Sequence, residues 1–154
     1  MAETGAGRYQ VEVLAGGLSF LADEPVEVGG LGSGPSPYEL VAAGLGACTA
    51  MTARMYAERK AWPLERVRVS VRHDNRPGET PPSVYERRIA FEGALAPEQV
   101  ARLFEIADRC PVHRTLEGGS KVETGPLEAP MPPAPQDAAT AHFGEMETAC
   151  KAEG

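Results

Sequence analysis

The chain has 154 residues and a mass of 16.3 kDa, room for one domain, and its 42% hydrophobic and 24% charged side chains are the ordinary balance of a globular protein. Fifteen Lys and Arg stand against 22 Asp and Glu, a net charge of −7, which argues against nucleic acid and anionic lipid as partners. No run approaches the ~20 consecutive apolar residues of a membrane span, the start MAETGAGRYQ lacks the cationic and apolar regions of a signal peptide, and a cytoplasmic location is expected.

In chain order, Tyr9, Val11 and Val13 alternate with Gln10 and Glu12, and Gly16-Gly17 leads into Leu18-Ser19-Phe20-Leu21, the pattern of a β-hairpin. The glycine-rich GGLGSG that follows lacks the GK[ST] ending of a phosphate-binding loop and reads as a flexible linker. A long helix is expected from Pro37 to Lys60, capped by Ser36 or a neighbour and ended at the latest by Pro63. Val67, Val69, Val71 and His73 alternate with Arg66, Arg68, Ser70 and Arg72, a half-buried strand, and a second strand from Tyr85 to Gly93 should pair with it across the proline-rich loop DNRPGETPPS. Pro97 opens a helix to about Arg109, Val112–Glu117 forms a further short helical turn, and a last strand is expected around Lys121 to Thr124. The order ββ, α, ββ, α, β is an α+β pattern.

The domain is expected to occupy residues 1–124. Residues 125–154 carry five acidic side chains against Lys151 alone and five of the 14 prolines, so they read as an acidic, Pro-rich, disordered tail. Within it, Asp137 to Lys151 has a sparse helical pattern weakened by Gly144.

Three cysteines, Cys48, Cys110 and Cys150, are too few and too scattered for a disulfide framework, and an odd count in a cytosolic chain favours a reactive thiol. Cys48 lies mid-helix on a stripe with Val41, Leu45, Thr52 and Met55, either as a small core hydrophobe or as an inward-facing nucleophile. The helix is rich in Ala and Gly around it, and each interior Gly costs ~1 kcal/mol relative to Ala, so a close contact with another element is expected. Cys110 sits at a helix junction. As the last residue of one helix it would meet the negative dipole end, and as the cap of the next it would meet backbone donors. Glu39, nine residues before Cys48 and about two and a half turns away, reads as a solvated first-turn carboxylate unless a second chain or a nearby loop connects it to the thiol. Cys110 and His113 have a Cys-x-x-His spacing, but the further ligands of a closed metal site are not at the required spacing, so no metal is expected.

The segment PSPYELVAAGLGACTAMTARMYAERK, followed by CPVHRTLEG, resembles the OsmC/Ohr family, and the likeness spans roughly residues 7–124. The resemblance implies an α+β fold in an intertwined homodimer, with a long cysteine-bearing helix packed on antiparallel strands. It further implies thiol-dependent reduction of organic hydroperoxides without a cofactor, with Cys48 as peroxidatic thiolate, Cys110 as resolving thiol, Glu39 as the nearest first-turn glutamate, and an external dithiol as reductant. The chain has Tyr38 where the organic hydroperoxide enzymes carry that glutamate, and the hairpin loop offers no arginine; Arg8, Arg88 and Arg114 are the candidate cations. These departures place it nearer the OsmC-like subgroup. The alternatives are a non-catalytic dimer holding a small apolar ligand at its interface, and an acyl-transfer enzyme using Cys48 as nucleophile.

Overall fold

The structure is a computed structural model of the chain that describes residues 1–129 and 136–151, with the side chains of 136–139 left out of the description. It is α+β: three short strands, β1 (Ala2–Glu3), β2 (Val11–Ala15) and β3 (Leu18–Ala22), the long helix α1 (Pro37–Arg59), strands β4 (Leu64–Asn75) and β5 (Ser83–Gly93), and helices α2 (Pro97–Ala107), α3 (Pro111–Gly118) and α4 (Gln136–Lys151). The chain divides into two compact units, one of residues 1–44 with 71–86 and one of residues 45–70 with the chain from 87 onward.

In the first unit β2 and β3 form the expected antiparallel hairpin, with Val13 opposite Phe20 and Ala15 opposite Leu18 across the Gly16-Gly17 turn, and β1 adds to the free edge of β2. Both turn glycines have positive φ, as a tight hairpin requires. The glycine-rich segment is not a loose linker. The buried Asp23 carboxylate accepts N–H bonds from Leu31 at 3.0 Å and Ser33 at 3.3 Å and the Ser33 hydroxyl at 2.9 Å, drawing the loop around itself. A Cβ on Gly34 would fall 1.9 Å from the Leu21 carbonyl oxygen, so the close backbone approach, rather than flexibility, accounts for glycine there.

At the start of α1, Ser36 and Glu39 form the cap: the Glu39 carboxylate accepts the Ser36 N–H and hydroxyl, each at 2.8 Å. Tyr38 stacks on His73 of β4, centroids 3.9 Å apart. At the other end, Ala61 stands in the left-handed region at φ 52, with Trp62 N–H on the Ala57 carbonyl and Ala61 N–H on the Glu58 carbonyl, a Schellman stop followed by Pro63.

The second unit holds the apolar core. Ala53, Tyr56 and Ala57 of α1, Leu64 of β4, Leu103 and Ile106 of α2 and Cys150 of α4 are buried together, with Met55, Trp62, Val67, Phe91 and Leu95 packed around them. The strand alternation is as expected: Val67 and Val69 are half-buried, while Arg66, Arg68 and Ser70 are exposed.

Two expectations change. Residues 121–124 form no strand; their one apolar side chain, Val122, is 83% exposed, too little burial to hold a strand that has no partner among the described residues. The C-terminal segment, expected to be disordered, contains the helix α4, for which Asp137–Lys151 carried the sparse pattern. Met146, Ala149 and Cys150 are buried, at a helical spacing that gives the segment one apolar face despite its acidic composition. Residues 130–135 of the expected tail lie outside the described residues.

Candidate functional site

The middle of α1 presents Leu45, Cys48, Thr49 and Thr52 inward, all buried. The two hydroxyls would be costly there unbonded, and each donates to the carbonyl one turn back: Thr49 to Leu45 at 2.7 Å and Thr52 to Cys48 at 2.8 Å. Cys110 follows α2, and the choice left open by the sequence resolves in favour of the cap. It is the N-cap of α3, with extended φ and ψ, and its sulfur accepts the His113 N–H at 3.4 Å, while Pro111 occupies the first helical position.

This cap brings two thiols 62 residues apart into contact. Cys48 and Cys110 are free and buried, and each lies close enough to shift the other's titration. The N-terminus of α3 serves both, since Val112 N–H reaches the Cys48 sulfur at 3.4 Å while His113 N–H reaches that of Cys110. A helix N-terminus favours negative charge, so a pair of sulfurs set on it is electrostatically prepared to carry one thiolate.

The two thiols are shifted in opposite directions. The hydrogen bond from Cys48, assisted by the His113 N–H, by Thr49 and by Arg87, brings Cys110 from the usual 9.0 down to about 6. The same bond, with burial, pushes Cys48 well above the ordinary thiol range despite the Val112 N–H. The helix N-terminus and Arg87 thus favour one thiolate and one thiol in this pair.

The cation beside Cys110 is Arg87 of β5, which is not one of the three candidates considered for Cys48. Its guanidinium donates to the Thr49 hydroxyl at 2.9 Å, to the Ala107 carbonyl at 3.2 Å and to the Asp108 carboxylate at 2.6 Å, which locks it beside Cys110. The sequence carried a signal for it: Arg87 falls on the same face of β5 as Tyr85, Ile89 and Phe91, a charge in an otherwise apolar stripe. Arg88 points the other way and is exposed.

A second missed residue is His142 of α4, whose Nε2 lies 3.2 Å from the Cys48 sulfur. Its register is legible afterwards, since His142, Met146, Ala149 and Cys150 share one helical face. Cys150 itself contacts the Thr52 carbonyl at 3.8 Å, and burial raises its pKa, so it belongs to the core. Glu39, the third nominated residue, belongs to the other unit, and its exposed carboxylate is bound to Ser36; the cap bonds hold its pKa below the usual carboxylate value. The His113 ring turns to Glu117 at 3.1 Å. Among the described residues no group of three or more His, Cys, Asp or Glu could hold a metal, and no helix is long and apolar enough to cross a membrane.

Three comparisons bear on this arrangement. The model of the OsmC-like protein family matches residues 30–125, more than half of the chain, including both cysteines of the pair. No curated protein matches. Among solved structures, an OsmC-like protein from Mycoplasma pneumoniae is similar at TM-score 0.59 and 18% identity, over 71% of this chain and 79% of that one. An organic hydroperoxide resistance protein OsmC from Legionella pneumophila, described as a predicted redox protein, is similar at TM-score 0.52 and 23% identity, over 71% and 89% of the two chains. An organic hydroperoxide resistance protein from Vibrio cholerae, with captopril in one of its active sites, is similar at TM-score 0.54 and 21% identity, over 77% and 91%. At these identities the structures share the fold with this chain, and the family match carries the assignment: the chain belongs to the OsmC-like protein family.

Proposed function

We propose that the protein is a thiol-dependent hydroperoxide reductase that works as a homodimer in the reducing cytoplasm. The observation that carries the proposal is the contact of Cys48 with Cys110 over the N-terminus of α3, with Arg87 beside them. Passage of the shared proton from Cys48 to Cys110 makes Cys48 the thiolate. It attacks the terminal oxygen of a hydroperoxide, the O–O bond breaks, the alcohol leaves, and a sulfenic acid remains on Cys48. Cys110 then attacks that sulfur, water leaves, and a disulfide forms, which an external dithiol reduces by exchange. Glu39 contributes through the helix end it caps.

A bulky organic hydroperoxide is the preferred substrate, because Leu45 and Met55 give the thiol apolar neighbours on its own helix and each buried methylene is worth ~0.8 kcal/mol. The homodimer rests on apolar side chains that one chain leaves bare: Leu14 and Leu18 of the hairpin, and Ala43, Ala47 and Met51 recurring every fourth residue along α1, are exposed. A second reading, with Cys110 attacking and Cys48 resolving, is favoured by the groups gathered at Cys110: the His113 N–H on its sulfur, the Thr49 hydroxyl 3.7 Å away and Arg87 bound to that hydroxyl.

A coupled peroxidase assay with t-butyl hydroperoxide and hydrogen peroxide, on wild type, Cys48→Ser and Cys110→Ser, tests the proposal. Turnover of the organic peroxide that disappears in Cys48→Ser and is limited to one event in Cys110→Ser is the expected result. The reverse pattern would assign attack to Cys110. No turnover of either peroxide would leave the apolar-ligand dimer as the function.

A further inference from the structure

The two sulfurs of the site are not equally served. Cys110 has the His113 N–H, the Thr49 hydroxyl 3.7 Å away and the positive charge of Arg87. Cys48 has the Val112 N–H and, at 3.2 Å, the imidazole of His142. Among the described residues, the titratable groups in contact with Cys48 are therefore Cys110 and His142. Attack by Cys48 needs the charge moved onto its own sulfur and a proton for the departing alkoxide, and neither the Val112 amide nor Arg87, bound to Thr49, Ala107 and Asp108, supplies that proton.

We propose that His142, carried to the site by α4, is the catalytic acid of the peroxide step: as imidazolium it holds the thiolate on Cys48, and it then protonates the leaving alcohol. The inference rests on the reductase reading with Cys48 as the attacking thiol. The placement is built into the fold. Met146, Ala149 and Cys150 on the same face of α4 are buried, Cys150 lies within the core, and Arg59 Nη1 reaches the Glu147 carbonyl at 3.5 Å, so the helix is anchored one and two turns beyond His142. His142 also lies outside residues 30–125, the part that matches the family model.

The step balances. The Cys48 thiolate donates an electron pair to the terminal oxygen of ROOH, and an S–O bond forms as the O–O bond breaks. The pair from that bond goes to RO⁻, which takes the Nε2 proton of His142 and leaves as ROH. Sulfur is oxidised to the sulfenic acid, the peroxide is reduced, and the Cys110 thiol condenses with the sulfenic acid as water departs; the neutral imidazole regains its proton from the Cys48 thiol once the external dithiol has reduced the disulfide. Around this centre, Arg87 of β5 with Asp108 after α2 flank Cys110, and Arg109, Arg114 and, on α4, Glu145 line a polar depression beside α3.

Alkylation by iodoacetamide, resolved to Cys48 and to Cys110 by peptide mass spectrometry between about pH 5 and about pH 9, tests the pairing without any peroxide. In His142→Gln the Cys48 rate at neutral pH should fall about tenfold with its pH profile displaced upward, while the Cys110 profile keeps its position. In His142→Ala, added imidazole should restore the Cys48 rate, a rescue that a merely structural loss would not show. Turnover of t-butyl hydroperoxide should fall by about 100-fold. An unchanged Cys48 profile in a His142→Gln protein of wild-type melting temperature, or no imidazole rescue in His142→Ala, would overturn the inference. A wild type that reduces no hydroperoxide, yet whose Cys48 alkylation depends on His142, would overturn the reductase reading and support the pairing.

Discussion

The two units of the chain are held together by opposite means. In the unit of residues 45–70 and 87 onward, Leu103, Ile106, Ala53 and Ala57 are buried in one cluster, and apolar area removed from water is the dominant gain. In the unit of residues 1–44 and 71–86, the buried anchors are polar: Asp23, which gathers Leu31 and Ser33, and Gln10, which donates to Ser33 at 2.7 Å. Its large apolar side chains, Leu14, Leu18, Val26 and Val28, face outward. A closed apolar core can stand within one chain, whereas an apolar exterior over a polar scaffold is the kind of surface that the proposed homodimer would cover. The thiol pair lies in the self-sufficient unit.

The sharpest way to break this contrast is to open the apolar core. Leu103→Ala, at a fully buried position, should cost ~2–5 kcal/mol in urea unfolding. A loss of less than ~1 kcal/mol would show that the core relaxes around the cavity. Removing residues 130–154 takes Cys150 from the same core, along with the buried Met146 and Ala149, and a loss of ~2–4 kcal/mol is expected. An unchanged melting temperature would return α4 to the status of a tail that contributes nothing.

On the polar side of the contrast, Asp23→Ala removes the acceptor of the Leu31 and Ser33 bonds. Limited proteolysis should then cut within residues 24–34, with the other unit left intact. Equal cleavage rates in variant and wild type would mean that the glycine loop holds its shape without the carboxylate.

The last effect expected is a pH dependence. With Cys110 down to about 6 in the folded chain and at the usual 9.0 in the unfolded one, the unfolded state binds more protons between these values. Stability from this group is therefore complete above about 9 and is lost as the pH falls through about 6. The raised Cys48 acts oppositely above its unfolded value. The melting-temperature difference between wild type and Cys110→Ser should grow from about pH 6 to about pH 9, and a difference independent of pH would remove the thiolate from Cys110.

Much of this fold was legible because the signals were local. The alternation at Val67, Val69 and Val71, the Gly16-Gly17 turn and the proline boundaries at Pro37, Pro63, Pro97 and Pro111 each dictate the backbone within a few residues. What misled was composition read without register. The prolines and acidic residues after Gly125 spoke for disorder, yet one face of α4 is apolar; the glycines near Gly30 spoke for flexibility, yet Asp23 orders them. In the site, Cys48 and Cys110 were nominated on the strength of the resemblance, and their contact depends on the packing of α1 against α3, which no spacing of 62 residues encodes. Arg87 and His142 were hidden for the same reason, since a single charge on a strand face or a lone histidine on a weak helix gains meaning only from what it meets.

The central claim is that Cys48 and Cys110 are one redox-active pair. It is tested most directly by non-reducing peptide mass spectrometry of the wild type after one equivalent of t-butyl hydroperoxide. The account predicts a cross-linked peptide pair containing Cys48 and Cys110, with Cys150 still free. A lasting sulfenic acid on one cysteine with the other reduced, or a bridge from Cys48 to Cys150, would contradict it.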